Sequence, residues 1–197
     1  MSGSRLHVRL SWLLGTIMLT AAGCAAGAPR GAAFTRRGIE REFISSPVFG
    51  APRGLTFADI IPVGARITAV HVGIDGDRVT AIWTSYERNG VIKDTPHRGH
   101  TGRHVEVFEL GRNEKIIGIH ALGGSEINQL TIVTNTRTKT FGRPSAGATS
   151  STVFDTLSED NRHRYVGVGF TGRAGRELHQ LGLRIQVRHD EEIASAQ

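Results

Sequence analysis

The chain has 197 residues, 39% hydrophobic and 21% charged, and its length excludes a second independent core beside a leader and one domain. The composition excludes wholesale disorder, and the single cysteine, Cys24, excludes an internal disulfide. The formal charge is +6, or about +4 without Arg5 and Arg9 of the leader, and no dense basic run or recognition helix stands out, so nucleic acid is not an expected partner.

Residues 1–23 read as a lipoprotein signal peptide. Arg5 and Arg9 form the positive start, and Leu10 to Leu19 form an apolar run too short for a permanent membrane span. Leu19-Thr20-Ala21-Ala22-Gly23-Cys24 resembles a bacterial lipobox, which implies lipidation of Cys24 and residence in the cell-envelope membrane (the outer membrane in a Gram-negative host). Export with Cys24 unmodified is the alternative. Residues 24–47 follow as a lipid-anchored tether, with Arg36 to Ile44 read as a short helical turn or more linker. The bases are nearly all arginine, which fits either a compositional bias or attraction to acidic glycans or lipid headgroups.

From Phe49 to Arg188 the hydrophobic period is two, so the domain, residues 48–188, is expected to be all-β with ten or eleven strands. Val70, Val72 and Ile74 alternate with Ala69, His71 and Gly73. Val79, Ala81 and Trp83 alternate with Thr80, Ile82 and Thr84, and Leu183, Ile185 and Val187 with Arg184, Gln186 and Arg188. Turns are expected at Asp75-Gly76-Asp77, Asn89-Gly90, Gly111-Arg112-Asn113 and Gly123-Gly124-Ser125. The stretches Arg78–Ile82, Lys115–Ile119 and Glu126–Leu130 each place apolar residues three apart, a faint repeat compatible with a pseudo-symmetric fold. Residues 189–197 are a polar tail.

His97, His100 and His104 have spacings that would suit zinc only on a helix. The surrounding glycines argue for exposed loop histidines, so no metal and no cofactor is expected. Trp83 and Tyr86 read as core or sheet-surface residues. No nucleophile elbow, phosphate loop or metalloprotease motif is present, so an enzyme is not expected.

Four stretches together form a known pattern: Thr56-Phe57-Ala58-Asp59, His97 to Gly102, Ile132 to Thr138 with Phe141-Gly142, and Val168 to Gly175 running into Leu178 and Leu181-Gly182. In order and spacing the chain resembles the jacalin-related lectins. The resemblance implies a β-prism of three antiparallel four-stranded sheets with pseudo-threefold symmetry. It also implies a metal-free sugar site at one end, formed by glycine-rich loops. The candidate carbohydrate-binding residues are Gly54, Gly102, Gly175, Arg176, Glu177, Leu178 and His179. The family turn reads Gly-x-x-x-Asp, and its carboxylate accepts two sugar hydroxyls at once; here His179 stands where Asp would be. Glu177 could compensate, and Arg53, Arg98 and Arg176 would favour an acidic sugar or another anion. The expected partners are therefore a glycan or anionic saccharide, and the membrane through Cys24. The alternative is an envelope protein-interaction or structural lipoprotein with a degenerate sugar site, whose partner is an envelope protein or a second copy.

Overall fold

The alternating runs do fold as strands. The structure, a computed structural model, describes residues 42–147, 149–155 and 164–188; the leader, Cys24, most of the tether and the polar tail lie outside the described residues. Ile39–Gln197 forms one compact unit. Its strands are β1 (Glu42–Ser45), β2 (Phe49–Gly50), β3 (Leu55–Ala58), β4 (Arg66–Asp75), β5 (Arg78–Arg88), β6 (Val91–Asp94) and β7 (Arg98–Gly99). They continue with β8 (His104–Glu109), β9 (Ile116–Gly123), β10 (Ile127–Thr134), β11 (Thr138–Gly142), β12 (Thr149–Asp155), β13 (Tyr165–Ala174) and β14 (Leu178–Val187).

Three antiparallel sheets form a β-prism. The first has the order β1-β14-β13-β3 with β2 also on β14, the second β6-β5-β4-β8 with β7 also on β5, and the third β11-β10-β9-β12. Two sheets thus have five strands rather than the expected four, and proline explains both. Ser46 and Thr95 are buried and hydrogen-bond across their ladders, Ser46 with Leu183 and Thr95 with Thr84. Pro47 and Pro96 follow them, lack an N–H, and split one strand into β1 and β2 and another into β6 and β7. The equivalent strand of the third sheet, β11, has no proline and runs unbroken. Glu42–Ser45 pairs with Val187–Arg184, so the sheet begins inside the stretch whose composition reads as tether.

The inner faces meet in one core. Val70, Val72, Ile119, Leu130, Ile132, Phe141, Leu181, Leu183 and Ile185 are fully buried. Each such side chain stabilises the fold by roughly 1.5–3 kcal/mol. On β5 the simple alternation fails. Gly73 pairs with Ala81 and Ile74 with Val79, so Thr80 is an unpaired bulge. The extra residue moves Ile82 and Thr84 inward and puts Trp83 on the outer face, where it stacks between His71 at 5.0 Å and His97 at 4.0 Å. His97 is therefore exposed but not a free loop histidine. Burial pushes the His71 imidazole down from its usual range, against an opposing pull from Asp94.

Candidate saccharide-binding site

The same bulge recurs at the first hairpin turn of every sheet. Gly123 pairs with Ile127 and Leu122 with Gln129, which leaves Asn128 out. Ala174 pairs with Leu178 and Arg173 with Gln180, which leaves His179 out. Thr80, Asn128 and His179 are thus equivalent positions around the pseudo-threefold axis. A bulge re-aims its side chain away from the strand's alternation, a geometry favoured next to binding sites.

A neighbouring glycine presses on each bulge from the adjacent strand. A Cβ on Gly50, Gly99 or Gly142 would lie 2.1, 2.0 or 2.1 Å from the carbonyl oxygen of His179, Thr80 or Asn128, respectively. Gly50 also has φ 110°, so its conformation and its surroundings both demand glycine.

At His179 two segments meet. The Gly175–Leu178 turn is closed by Gly175 N–H donating to the Glu177 carbonyl at 3.0 Å. The Gly50–Gly54 loop is fastened onto the hairpin by Gln180 Nε2 on the Gly50 carbonyl, 3.0 Å, and Arg173 Nη1 on the Gly54 carbonyl, 3.2 Å. A Cβ on Gly54 would lie 2.6 Å from the Ala174 carbonyl oxygen, and one on Gly175 would lie 4.0 Å from Gly54 Cα. Gly54, Gly175, Arg176, Glu177 and His179 are therefore brought together. Leu178 is there by its backbone only, because its side chain is 2% exposed and packs in the core.

Gly102 is placed elsewhere. Its loop covers the β4–β5 hairpin, where a Cβ would meet the Ile74 carbonyl at 2.4 Å. Arg98 is committed as well: its guanidinium donates twice to Asp59, at 2.8 and 2.6 Å, which raises its pKa. Arg53 and Arg176 are exposed and join no ion pair with the described residues.

Glu177 does not compensate freely for the missing carboxylate. Arg78, from the β4–β5 hairpin, donates to both oxygens of Glu126 at 3.1 and 3.0 Å and lies 3.7 Å from Glu177. Arg78, Glu126 and Glu177 occupy equivalent places just before their three bulges, so one cation on the axis holds two carboxylates from the other hairpins. Hydrogen bonding to Glu126 raises the pKa of Arg78. No single motif marks Arg78 in the sequence. Its available signal is the repeat of Gly76 to Ile82, Gly124 to Leu130 and Gly175 to Leu181, each with glycine followed by apolar residues at the fourth and seventh places of the run. Beside the second of these turns, Ser125, Glu126, Asn128 and Ser145 line a polar hollow of about 290 Å³.

The family model of the jacalin-like lectin domain matches residues 46–184. Among solved structures, a mannose-binding jacalin-related lectin from Ananas comosus is similar, with TM-score 0.57 and 21% identity over 74% of this chain and 99% of its own. A mannose-specific jacalin-related lectin from Morus nigra, solved with mannose, gives 0.56 and 21% over 74% and 96%. Calystegia sepium agglutinin gives 0.59 and 19% over 75% and 97%. At these identities the structural likeness is one of fold. No curated protein matches the sequence. With the family model covering most of the described residues, and the three-sheet prism seen independently, the chain belongs to the jacalin-like lectin domain family.

Proposed function

We propose that this protein is a carbohydrate-binding surface lipoprotein that holds an acidic saccharide at the Gly175–His179 turn. The observation that carries the reading is the bulged His179, flanked by two glycine segments that leave backbone exposed, with Arg53 and Arg176 unpaired beside it. Backbone N–H groups of the turn donate to sugar oxygens. A neutral imidazole offers one donor and one acceptor, so His179 cannot grip two hydroxyls as a carboxylate does. Each charge-assisted bond lost costs about 1.5–3 kcal/mol, and about 1.4 kcal/mol is tenfold in affinity. Arg78 lies 3.7 Å from Glu177 and offsets its charge, so the cations, rather than a carboxylate, set the preference.

Lipidation at Cys24 supplies the anchor in this reading, and the outer membrane is its place in a Gram-negative host. The chain joins the first sheet at Glu42, opposite Val187, whereas the His179 turn lies at the other end of β14. The tether therefore meets the domain at the end remote from the saccharide turn.

A survey of neutral and acidic glycans with the folded protein tests the function. Binding to acidic saccharides, weakened by Arg53→Ala with Arg176→Ala, is the expected result. No glycan bound, with an envelope protein captured and not displaced by free sugars, would select the degenerate-site reading that His179 also permits. Mass spectrometry of the N-terminal peptide, showing an acylated Cys24, tests the anchor.

A further inference from the structure

The end of the prism opposite the His179 turn carries its own surface chemistry. The three hairpin turns meet through Arg78, Glu126 and Glu177, so the Asn89-Gly90 turn between β5 and β6 lies at the other end, with the start of β1. Asn89 has φ 53° and Gly90 φ 77°, which suits a tight two-residue turn that projects its flanks into solvent. Those flanks are not uniformly polar. Val91 is 54% and Ile92 63% exposed, and Val63, on the loop between β3 and β4, is 56% exposed.

Two cations lie on the Val91 side of this tip, while Ile92, the next strand residue, faces the other side. Arg88 and Lys93 line a hollow of about 270 Å³ with Pro62, Tyr86, Asn89 and Val91. Neither joins an ion pair with the described residues, while the nearby acids are already engaged: Glu87 by Arg66, and Asp94 by the Ser85 hydroxyl at 2.6 Å. Arg188 lies near Lys115 at this same end and, after burial, is the second cause of the lowered Lys115 pKa. The first sheet begins at this end with Glu42, and in sequence the stretch before it carries Arg30, Arg36, Arg37 and Arg41 against Glu40 alone.

We infer that this end is a docking surface for an anionic lipid bilayer. Val63, Val91 and Ile92 enter the headgroup boundary, and Arg88 and Lys93 pair with lipid phosphates. Apolar residues at a tip rimmed by unpaired cations suit an interface that is apolar below and anionic above. The docking does not need acylation; it would hold the domain with its saccharide turn facing away from the membrane.

The test is vesicle co-sedimentation of the chain from residue 24 onward, which keeps the whole compact unit, with Cys24→Ser so that no acyl chain contributes. Phosphatidylcholine vesicles are compared with vesicles that also contain phosphatidylglycerol. Binding should require the anionic lipid and fall with salt. Arg88→Glu with Lys93→Glu should weaken it roughly tenfold or more. Arg53→Glu with Arg176→Glu, the same charge change at the opposite end, should leave it near the parent value. Val91→Ser with Ile92→Ser should weaken it without a charge change. Indifference to anionic lipid, equal weakening by both charge variants, or a solution dimer broken by the Arg88 and Lys93 substitutions would overturn the inference. Glycan binding of the Arg88/Lys93 variant should match the parent, so failure here is separable from failure of the saccharide reading.

Discussion

In the proposed reading, His179 decides what the turn can recognise. Its imidazole replaces the carboxylate of the family pattern at the one strand position that the bulge turns out of alternation. His179→Asp should therefore restore a two-hydroxyl acceptor. Calorimetry should show neutral monosaccharide affinity rising by about tenfold to a hundredfold, the worth of one charge-assisted bond. No gain across common sugars would mean that the turn backbone is misplaced for a pyranose.

At the remote end, Glu114 links folding to acid pH. Its side chain is 6% exposed. Burial alone would raise its carboxyl, but Arg137, the Gly111 N–H and the Thr134 and Thr136 hydroxyls bring it down from 4.5 to about 2. A depressed folded pKa stabilises fully above 4.5, and that stabilisation fades as pH falls from 4.5 towards 2. Its size is on the order of 3 kcal/mol. Denaturant unfolding across that window should show Glu114→Gln losing about this much at neutral pH and showing a flatter acid limb. An unchanged limb would mean that the Glu114–Arg137 clamp does not couple to folding.

At the scale of elements, the bulged hairpin is the repeating unit. Gly50→Ala should place a Cβ against the His179 carbonyl in a conformation that resists side chains, with strain of about 1–3 kcal/mol. Gly64→Ala, with a similar positive φ of 79° but open space, should lose less; chemical denaturation of both variants separates close approach from backbone strain. The turns and strand class were legible because glycine and period-two alternation act locally. The bulges were only half legible. Apolar residues three apart in a strand, both buried, require one extra residue between them. Arg78–Ile82 and Glu126–Leu130 show this spacing. Lys115–Ile119 shows it for the same reason, since Ile117 is bulged too, yet it sits at the opposite end of β9. The true third member, Glu177–Leu181, was hidden among the glycines of the fourth motif stretch. The splitting of β1 from β2 and of β6 from β7 was written in Ser46-Pro47 and Thr95-Pro96, but prolines mark breaks without saying which ladder they break. The axial meeting of Arg78 with Glu126 and Glu177 joins residues 48 and more apart in sequence, and no local pattern announces it.

At the scale of the molecule, the prism separates two chemistries. One end gathers three glycine-pressed turns around Arg78, the His179 turn among them. The other receives the chain from its N-terminal segment and exposes Val63, Val91 and Ile92 beside unpaired cations. In the proposed reading, anchoring through that segment would leave the Gly175–His179 turn at the free end. If the Gly175–His179 turn is the saccharide site, an amide NMR titration of the folded domain with a hexuronate will reveal it. Saturable shifts are expected at Arg53, Gly54 and Gly175 to His179, lost in the Arg53→Ala, Arg176→Ala variant. Shifts confined to other loops, or none at all from a folded protein, would contradict it.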